Sequence, residues 1–186
     1  MPFSFKRLQI PEVILIEAKS FSDERGFFFE SFKESDFSSN GVSTKFVQDN
    51  TSHSVKNVLR GLHYQKNPKA QGKLVTAITG EIFDVAVDIR AGSPTFGKWV
   101  GEILSDKNHH LLYVPRGFAH GFCVLSDTAD VLYKVDNEYS SQDERGILWN
   151  DPSLKIDWTI DNPILTKRDL ELPLLKDIDN NFTYNP

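Results

Sequence analysis

The run Asn57–Gln65, NVLRGLHYQ, holds a guanidinium and an imidazole separated only by Gly61 and Leu62. A guanidinium grips a phosphate through two parallel hydrogen bonds, and an imidazole exchanges protons near neutral pH. Arg60 and His63 therefore read either as a phosphate clamp beside a base or as a solvated cation beside a structural histidine. In an ideal strand the two point to opposite faces. A pocket lined by both requires a bulge or bend, and Gly61 is where the chain predicts it. Downstream, QGKLV opens a strand on Lys73, and VPRGFAHGF carries His120 after a Pro-x-Gly turn. Lys73 reads as a strand-edge charge in water or as a compact donor to a negative oxygen. His120 reads as a pocket contact or as a buried imidazole donating to a backbone carbonyl.

The elements that must hold these groups are strands. Short apolar or alternating runs recur at Val13–Ala18, Gly26–Phe32, Lys45–Gln48, Val58–Tyr64, Lys73–Thr79, Ile82–Ile89, Lys98–Leu104, His110–Val114, Gly121–Leu125 and Val131–Val135. That rhythm predicts an all-β sandwich or barrel. In FDVAVDI the residues Phe83, Val85, Val87 and Ile89 share one face, read as core, and Asp84, Ala86 and Asp88 share a wetter one. Turn signals at Thr79-Gly80, Ala91–Pro94 and Arg116-Gly117 separate the runs. Helix is confined to Phe32–Ser39, ended by Asn40-Gly41, and to a turn over Lys167–Leu172 that Thr166 caps and Pro173 stops. Asp177–Pro186 is polar and reads as a loosely held tail.

A chain of 186 residues fits one domain and can bury about two-thirds of its unfolded surface without staples. With 39% apolar residues, 14 of them Phe, it builds a core and is not a disordered composition. A net charge of −5 leaves no basic face for a nucleic-acid backbone, though local cations can still meet a small phosphorylated ligand. The N-terminal apolar run is broken at Pro11-Glu12, too short for an export signal or a membrane span. Cys123, the single cysteine, lies in the apolar GFCVL and reads as a small buried hydrophobe. These features predict a cytoplasmic protein.

Gly61-Leu62-His63 and Pro115–His120 together resemble the two signature segments of the cupin jelly-roll superfamily. A metal-binding cupin would follow its first histidine with a second two residues later, where this chain has Gln65, so no metal is expected. SFSDERGFFFESF, FVQDNTSHS, NVLRGLHYQ, QGKLV, GEIFDVAVDIRAGSPTFGKW, YVPRGFAHGF, VLYKVDNEYS and GILWNDPSLKIDW, in that order, are similar to the dTDP-4-dehydrorhamnose 3,5-epimerase family. The resemblance runs from about Val13 to Leu175. It implies a cupin-type double-stranded β-helix with a few short helices, spanning 1–186. Its jelly-roll core would cover about 45–150, with N-terminal strands 13–32 at a homodimer interface and short helices within 160–176. It implies epimerisation of C3 and C5 of a dTDP-4-keto-6-deoxy sugar without cofactor.

Such a reaction needs a base, an acid on the opposite face and a donor at the C4 oxygen. The resemblance assigns the base to His63 oriented by Asp169, the acid to Tyr133 and the oxygen donor to Lys73. It assigns nucleotide contacts to Gln48, Asn50, Arg60, Tyr139, Glu144 and Arg168, with His120 as a further substrate-binding contact at the pocket. The resemblance also implies that Arg25, Phe27 and Glu30 come from a neighbouring subunit through an exchanged N-terminal strand; read alone, DERGFFFE is a solvated surface strand, though strict alternation exposes at least one phenylalanine that a partner chain would cover. Read from local sequence alone, Tyr133 alternates with Val131 and Val135 as a core tyrosine would, and Asp169 fits a solvated first helical turn. Three rivals stand beside the 3,5-epimerase: a relative acting on one carbon or another sugar nucleotide, a metal-dependent cupin using His63 and His120, and a non-enzymatic sugar-binding jelly roll.

Overall fold

A computed structural model describes residues 2–185. The order is β1 (Phe3–Arg7), β2 (Ile14–Ala18), β3 (Phe21–Asp23), β4 (Gly26–Phe28), α1 (Glu34–Ser39), β5 (Gln48–Val55) and β6 (Leu59–Gln65). There follow β7 (Lys73–Thr79), β8 (Glu81–Asp88), β9 (Trp99–Ser105), β10 (His110–Val114), β11 (Phe118–Val124), β12 (Thr128–Val135), β13 (Glu144–Gly146), α2 (Lys167–Leu170) and a 3-10 turn at Leu175–Asp177. Two antiparallel sheets face each other, ordered β1-β2-β10-β7-β12-β5 and β13-β6-β11-β8-β9. This is the expected jelly roll. Among the described residues no helix is long and apolar enough to cross a membrane.

Apolar side chains fill three layers because most strands bury both faces. Between the sheets, Leu15, Val75, Ala77, Ile82, Ala86, Phe118, Phe122 and Val131 form one cluster. Outside the five-stranded sheet, Leu59, Leu62, Val85, Val87 and Cys123 pack under Ile147, Trp158, Leu175 and Phe182 of the C-terminal segment. Outside the six-stranded sheet, Ile14, Ile16, Leu74 and Leu111 pack under Phe37 of α1. Alternation thus sends odd and even residues of a strand into different cores.

This double burial corrects the reading of FDVAVDI, since the face expected to be wetter is also interior. Asp84 and Asp88 are fully buried. Asp88 is satisfied by Arg90, Ser93 and Thr95, and Asp84 accepts from His120. The tail is likewise not loose. Phe182 is buried, Asp179 bridges Lys66 and Arg145, and the backbone of Phe182 and Tyr184 pairs with Ala91. The sandwich also reaches beyond 45–150, because β1 and β2 belong to the six-stranded sheet. Cys123 is buried as read, its thiol donating to the Trp158 carbonyl, and burial pushes that thiol up to about 12.

Helix α1 is shorter than Phe32–Ser39 because Lys33 is extended, and it closes as expected through Asn40 and Gly41 at φ 97°. Helix α2 stops at Leu170 rather than Leu172, and Thr166 caps it by accepting the Asp169 N–H at 3.2 Å. The hairpin β3–β4 stands outside both sheets, with Phe29 stacked on His109 at 4.4 Å and Phe27 61% exposed.

The irregularity predicted at Gly61 is present. On β11, His120 pairs with His63 but Phe122 pairs with Arg60, so two residues of β6 oppose Gly121 alone. Gly61 takes φ 121°, a backbone conformation that side chains disfavour, and a Cβ there would lie 2.5 Å from the Gly121 Cα. Gly61→Ala is expected to destabilise the fold by about 2 kcal/mol or more, read as a drop in the denaturant midpoint. A variant as stable as the parent would show that the bulge is not required.

Candidate active site

The cleft forms where strand rows that are apolar inside the sandwich are interrupted by polar side chains. On β7 the row Ala77, Val75 continues to Lys73; on β12 Val131 continues to Tyr133; on β11 Phe122 continues to His120. The bulge turns both Arg60 and His63 to this inner side while Leu59 and Leu62 remain in the outer core. From β5, Gln48 and Asn50 complete the wall. The cavity measures about 540 Å³ and is also lined by Gln65, Gln71, Tyr64, Tyr139, Glu144, Thr166, Arg168 and Asp169.

The cleft thus gathers His63, Lys73, Tyr133, Asp169, Gln48, Asn50, Arg60, His120, Tyr139, Glu144 and Arg168 from both sheets, α2 and the segment between β12 and β13. Arg25 and Phe27 are not among its lining residues. They belong to a separate concavity on the β3–β4 hairpin, where Arg25 is paired with Asp23. Glu30 follows that hairpin, exposed, and does not line the cleft.

His63 Nε2 lies 2.7 Å from Asp169 Oδ1, and Asp169 is 3% exposed. Burial raises the Asp169 carboxyl, but the bonds from His63 and Thr166 outweigh it and hold the group below its ordinary value. With Nε2–H donated to the carboxylate, Nδ1 keeps the lone pair that accepts a proton. The cap at Thr166 therefore does more than start a helix: it fixes the turn from which Asp169 reaches the imidazole. On the opposite sheet, burial raises the Tyr133 phenol, so it remains a neutral donor at pH 7.

Lys73 rests with its ammonium 3.5 Å from the His63 carbonyl oxygen, free to meet a ligand atom. Burial pushes it down to about 8, with Asp84 and then Glu144 opposing. Behind the cleft Asp84 Oδ1 is 2.8 Å from His120 Nε2, and Asp84 Oδ2 has no hydrogen-bond partner among the described residues. Burial lowers His120, with Asp84 opposing only in part, so a neutral imidazole faces the cavity. At the mouth, Glu144 accepts from Arg168 and from the Tyr139 hydroxyl, each at 2.7 Å. Those bonds outweigh burial and keep its carboxyl low.

Asp84, Gln71 and Thr166 were not singled out as site residues from sequence. The available signal for Asp84 was an acid inside an otherwise apolar strand, which needs a buried partner. Gln65, placed where a metal-binding cupin has its second histidine, commits its amide to the backbone of Lys69, Glu138 and Ser140. Among the described residues no group of three or more His, Cys, Asp or Glu side chains is arranged to hold a metal ion.

A structure from Legionella pneumophila, a dTDP-6-deoxy-D-glucose-3,5-epimerase in complex with dTDP-4-keto-L-rhamnose, superposes with a TM-score of 0.95 at 48% identity, covering 99% of this chain and 100% of that one. A 3'-monoepimerase from Streptomyces bikiniensis, in complex with dTDP-quinovose, superposes at 0.86 with 32% identity over 91% and 86% of the two chains. Fold and cleft together define an isomerase of the cupin-like sugar epimerase class. A dTDP-4-dehydrorhamnose 3,5-epimerase from Shigella flexneri is 58% identical over 88% of this chain and 91% of its own. Residues 7–177 match the family model for dTDP-4-dehydrorhamnose 3,5-epimerase, and the chain belongs to that family.

Lys73 carries a pH signature. Its ammonium is lost near pH 8 in the folded state and near 10.5 in the unfolded chain, so between those values the unfolded state holds more protons. Stability linked to Lys73 therefore rises with pH across that window. NMR of the Lys73 side chain is expected to show deprotonation near pH 8, moved lower in Asp84→Asn, which removes an opposing negative charge. An ammonium that persists to pH 10, or a midpoint indifferent to Asp84, contradicts this electrostatic account.

Proposed function

We propose that the chain inverts C3 and C5 of dTDP-4-dehydro-6-deoxy-D-glucose to give dTDP-4-dehydro-L-rhamnose, within dTDP-rhamnose biosynthesis. The observation that carries this reading is the His63–Asp169 pair, 2.7 Å apart, sharing one cleft with a protonated phenol from the opposite sheet. A proton next to a ketone becomes removable when the resulting negative charge is accepted by the carbonyl oxygen. Nδ1 of His63 takes the carbon-bound proton, the electron pair moves into the C3–C4 or C4–C5 bond, and C4=O becomes an enolate. Lys73 donates to that oxygen, and Asp169 stabilises the imidazolium. Tyr133 returns a proton to the carbon from the other face, and the enolate collapses to the ketone. Exchange with solvent resets the imidazolium and the phenolate.

Nucleotide binding follows from the cleft mouth. Arg60 neutralises diphosphate oxygens, and Arg168, paired with Glu144, lines the same cleft. Gln48 and Asn50 pair with amide-like groups, and Tyr139 offers a stacking face to the pyrimidine. His120 supplies a neutral polar contact. The identities of 58% to a 3,5-epimerase and 32% to a 3'-monoepimerase favour double over single inversion, although both share the fold. Proton NMR in deuterated water with the keto-sugar nucleotide is expected to show deuterium at both C3 and C5. Incorporation at one carbon identifies a mono-epimerase, and at neither overturns the reading. His63→Ala is expected to lower the rate at least ~10²-fold, as loss of a general base does.

We further propose a cytoplasmic homodimer in which Arg25, Phe27 and Glu30 complete the partner's cleft. In support, the hairpin lies outside both sheets, and Phe27 and Phe28 are 61% and 67% exposed. Co-refolding His63→Ala with Arg25→Ala chains then creates mixed dimers with one intact site. Activity should exceed the sum of the separate variants. If each hairpin serves its own chain, mixing restores nothing.

A further inference from the structure

Tyr139 sits in the irregular segment between β12 and β13, where no ladder fixes the backbone. Glutamine side chains hold that segment instead. Gln71 Nε2 donates to the Asn137 carbonyl at 2.7 Å, and Gln65 Nε2 to the Glu138 carbonyl at 3.3 Å. The Tyr139 N–H donates to Gln48 Oε1 at 3.0 Å, and the Ser140 N–H to Gln65 Oε1 at 2.8 Å. Four consecutive residues thus each have a backbone group tied by a side-chain amide.

Gln65 dominates this arrangement because it grips both sides of Tyr139. Its amide accepts from residue 140, donates to residue 138 and donates again to the Lys69 carbonyl at 2.6 Å. It is only 3% exposed and lies on the regular strand β6, two residues beyond His63. A carboxylate could accept from Ser140 but donate to neither carbonyl, and an apolar side chain would leave all three backbone groups without a partner. Across the β6–β13 ladder Gln65 pairs with Glu144, which holds the Tyr139 hydroxyl. Backbone and ring tip are therefore referenced to the strand that carries the base.

We infer that Gln65 is a positioning residue for nucleotide recognition, setting the Tyr139 ring at the height where a pyrimidine stacks, while the diphosphate is held separately by Arg60. This rests on the reading of Tyr139 as the stacking residue. The consequence is a selective defect: disturbing Gln65 weakens the interaction with the base and spares that with the phosphates.

The test is calorimetric titration of the full-length protein with dTDP and, separately, with pyrophosphate. Gln65→Leu and the closer mimic Gln65→Glu should each bind dTDP roughly tenfold more weakly, with pyrophosphate affinity moving less than about threefold. In turnover KM should rise more than kcat falls. In a Tyr139→Ala background the Gln65 change should add nothing further. A parent that fails to bind dTDP sinks the functional reading itself. A parent that binds while both variants match it, or lose dTDP and pyrophosphate equally, overturns the role of Gln65. Should neither variant fold, hydrogen exchange on the parent decides: slow exchange at the Ser140 and Tyr139 amides supports the clamp, and rates of an open loop refute it.

Discussion

The arrangement of the cleft depends on two glycines in backbone contact. Gly61 and Gly121 approach so closely that a Cβ on either would come within 2.7 Å of the other strand's backbone. That approach lets β6 carry one residue more than β11 between the flanking pairs. Without the extra residue, alternation would send one of Arg60 and His63 into the outer core with Leu59 and Leu62. With it, the cation and the imidazole share the inner side, and the outer core remains apolar. This local departure from regular strand geometry is thus what brings the guanidinium and the imidazole into one cleft.

The same sandwich explains how so many ionisable groups survive partial burial. The apolar filling between the sheets is interrupted on β7, β11 and β12 by Lys73, His120 and Tyr133, with Phe118 and Val135 resuming the buried rows beyond the last two. Each lies at the boundary between a packed interior and a wet cavity, where desolvation is large enough to shift a proton equilibrium and space remains for a ligand. Asp84, one layer deeper, balances part of the positive charge. It lies wholly within the interior, with His120 on one oxygen and Lys73 in electrostatic reach.

Much of this was legible from residue order, and the failures have physical causes. Strands rich in Val, Ile and Phe announced themselves, and the bulge followed from requiring Arg60 and His63 to cooperate. The strand β5, QDNTSHSV, was missed beyond its start because its inward face is polar: Gln48 and Asn50 line the cleft, and Ser52 and buried Ser54, which accepts from Arg60, follow them in place of apolar residues. FDVAVDI was read as half wet because alternation cannot distinguish a solvated carboxylate from one bonded to histidine or arginine inside a second core. The tail looked free because its anchoring depends on Phe182 and Asp179 meeting residues about ninety to 115 positions away in sequence. Arg25, Phe27 and Glu30 could be matched to a family pattern, and on this chain they lie on or just after the separate hairpin, outside its own cleft.

Function in the cleft comes from environments that drive chemically different groups apart. Asp169 is held ionised by the donors around it, Tyr133 is held protonated by burial, and Lys73 is left near the edge of its charged range. A base supported by a carboxylate and an acid kept neutral are the pair that inversion at carbon requires, because one face must lose a proton while the other supplies one. In the proposed reaction the ammonium links the two half-steps. There it gains most when the neighbouring oxygen is fully negative, so its interaction strengthens between ground state and enolate, and burial magnifies that difference. The burial that makes Lys73 easier to deprotonate is also what makes its remaining charge effective, and Asp84 sets how far the first effect can proceed before the second is lost.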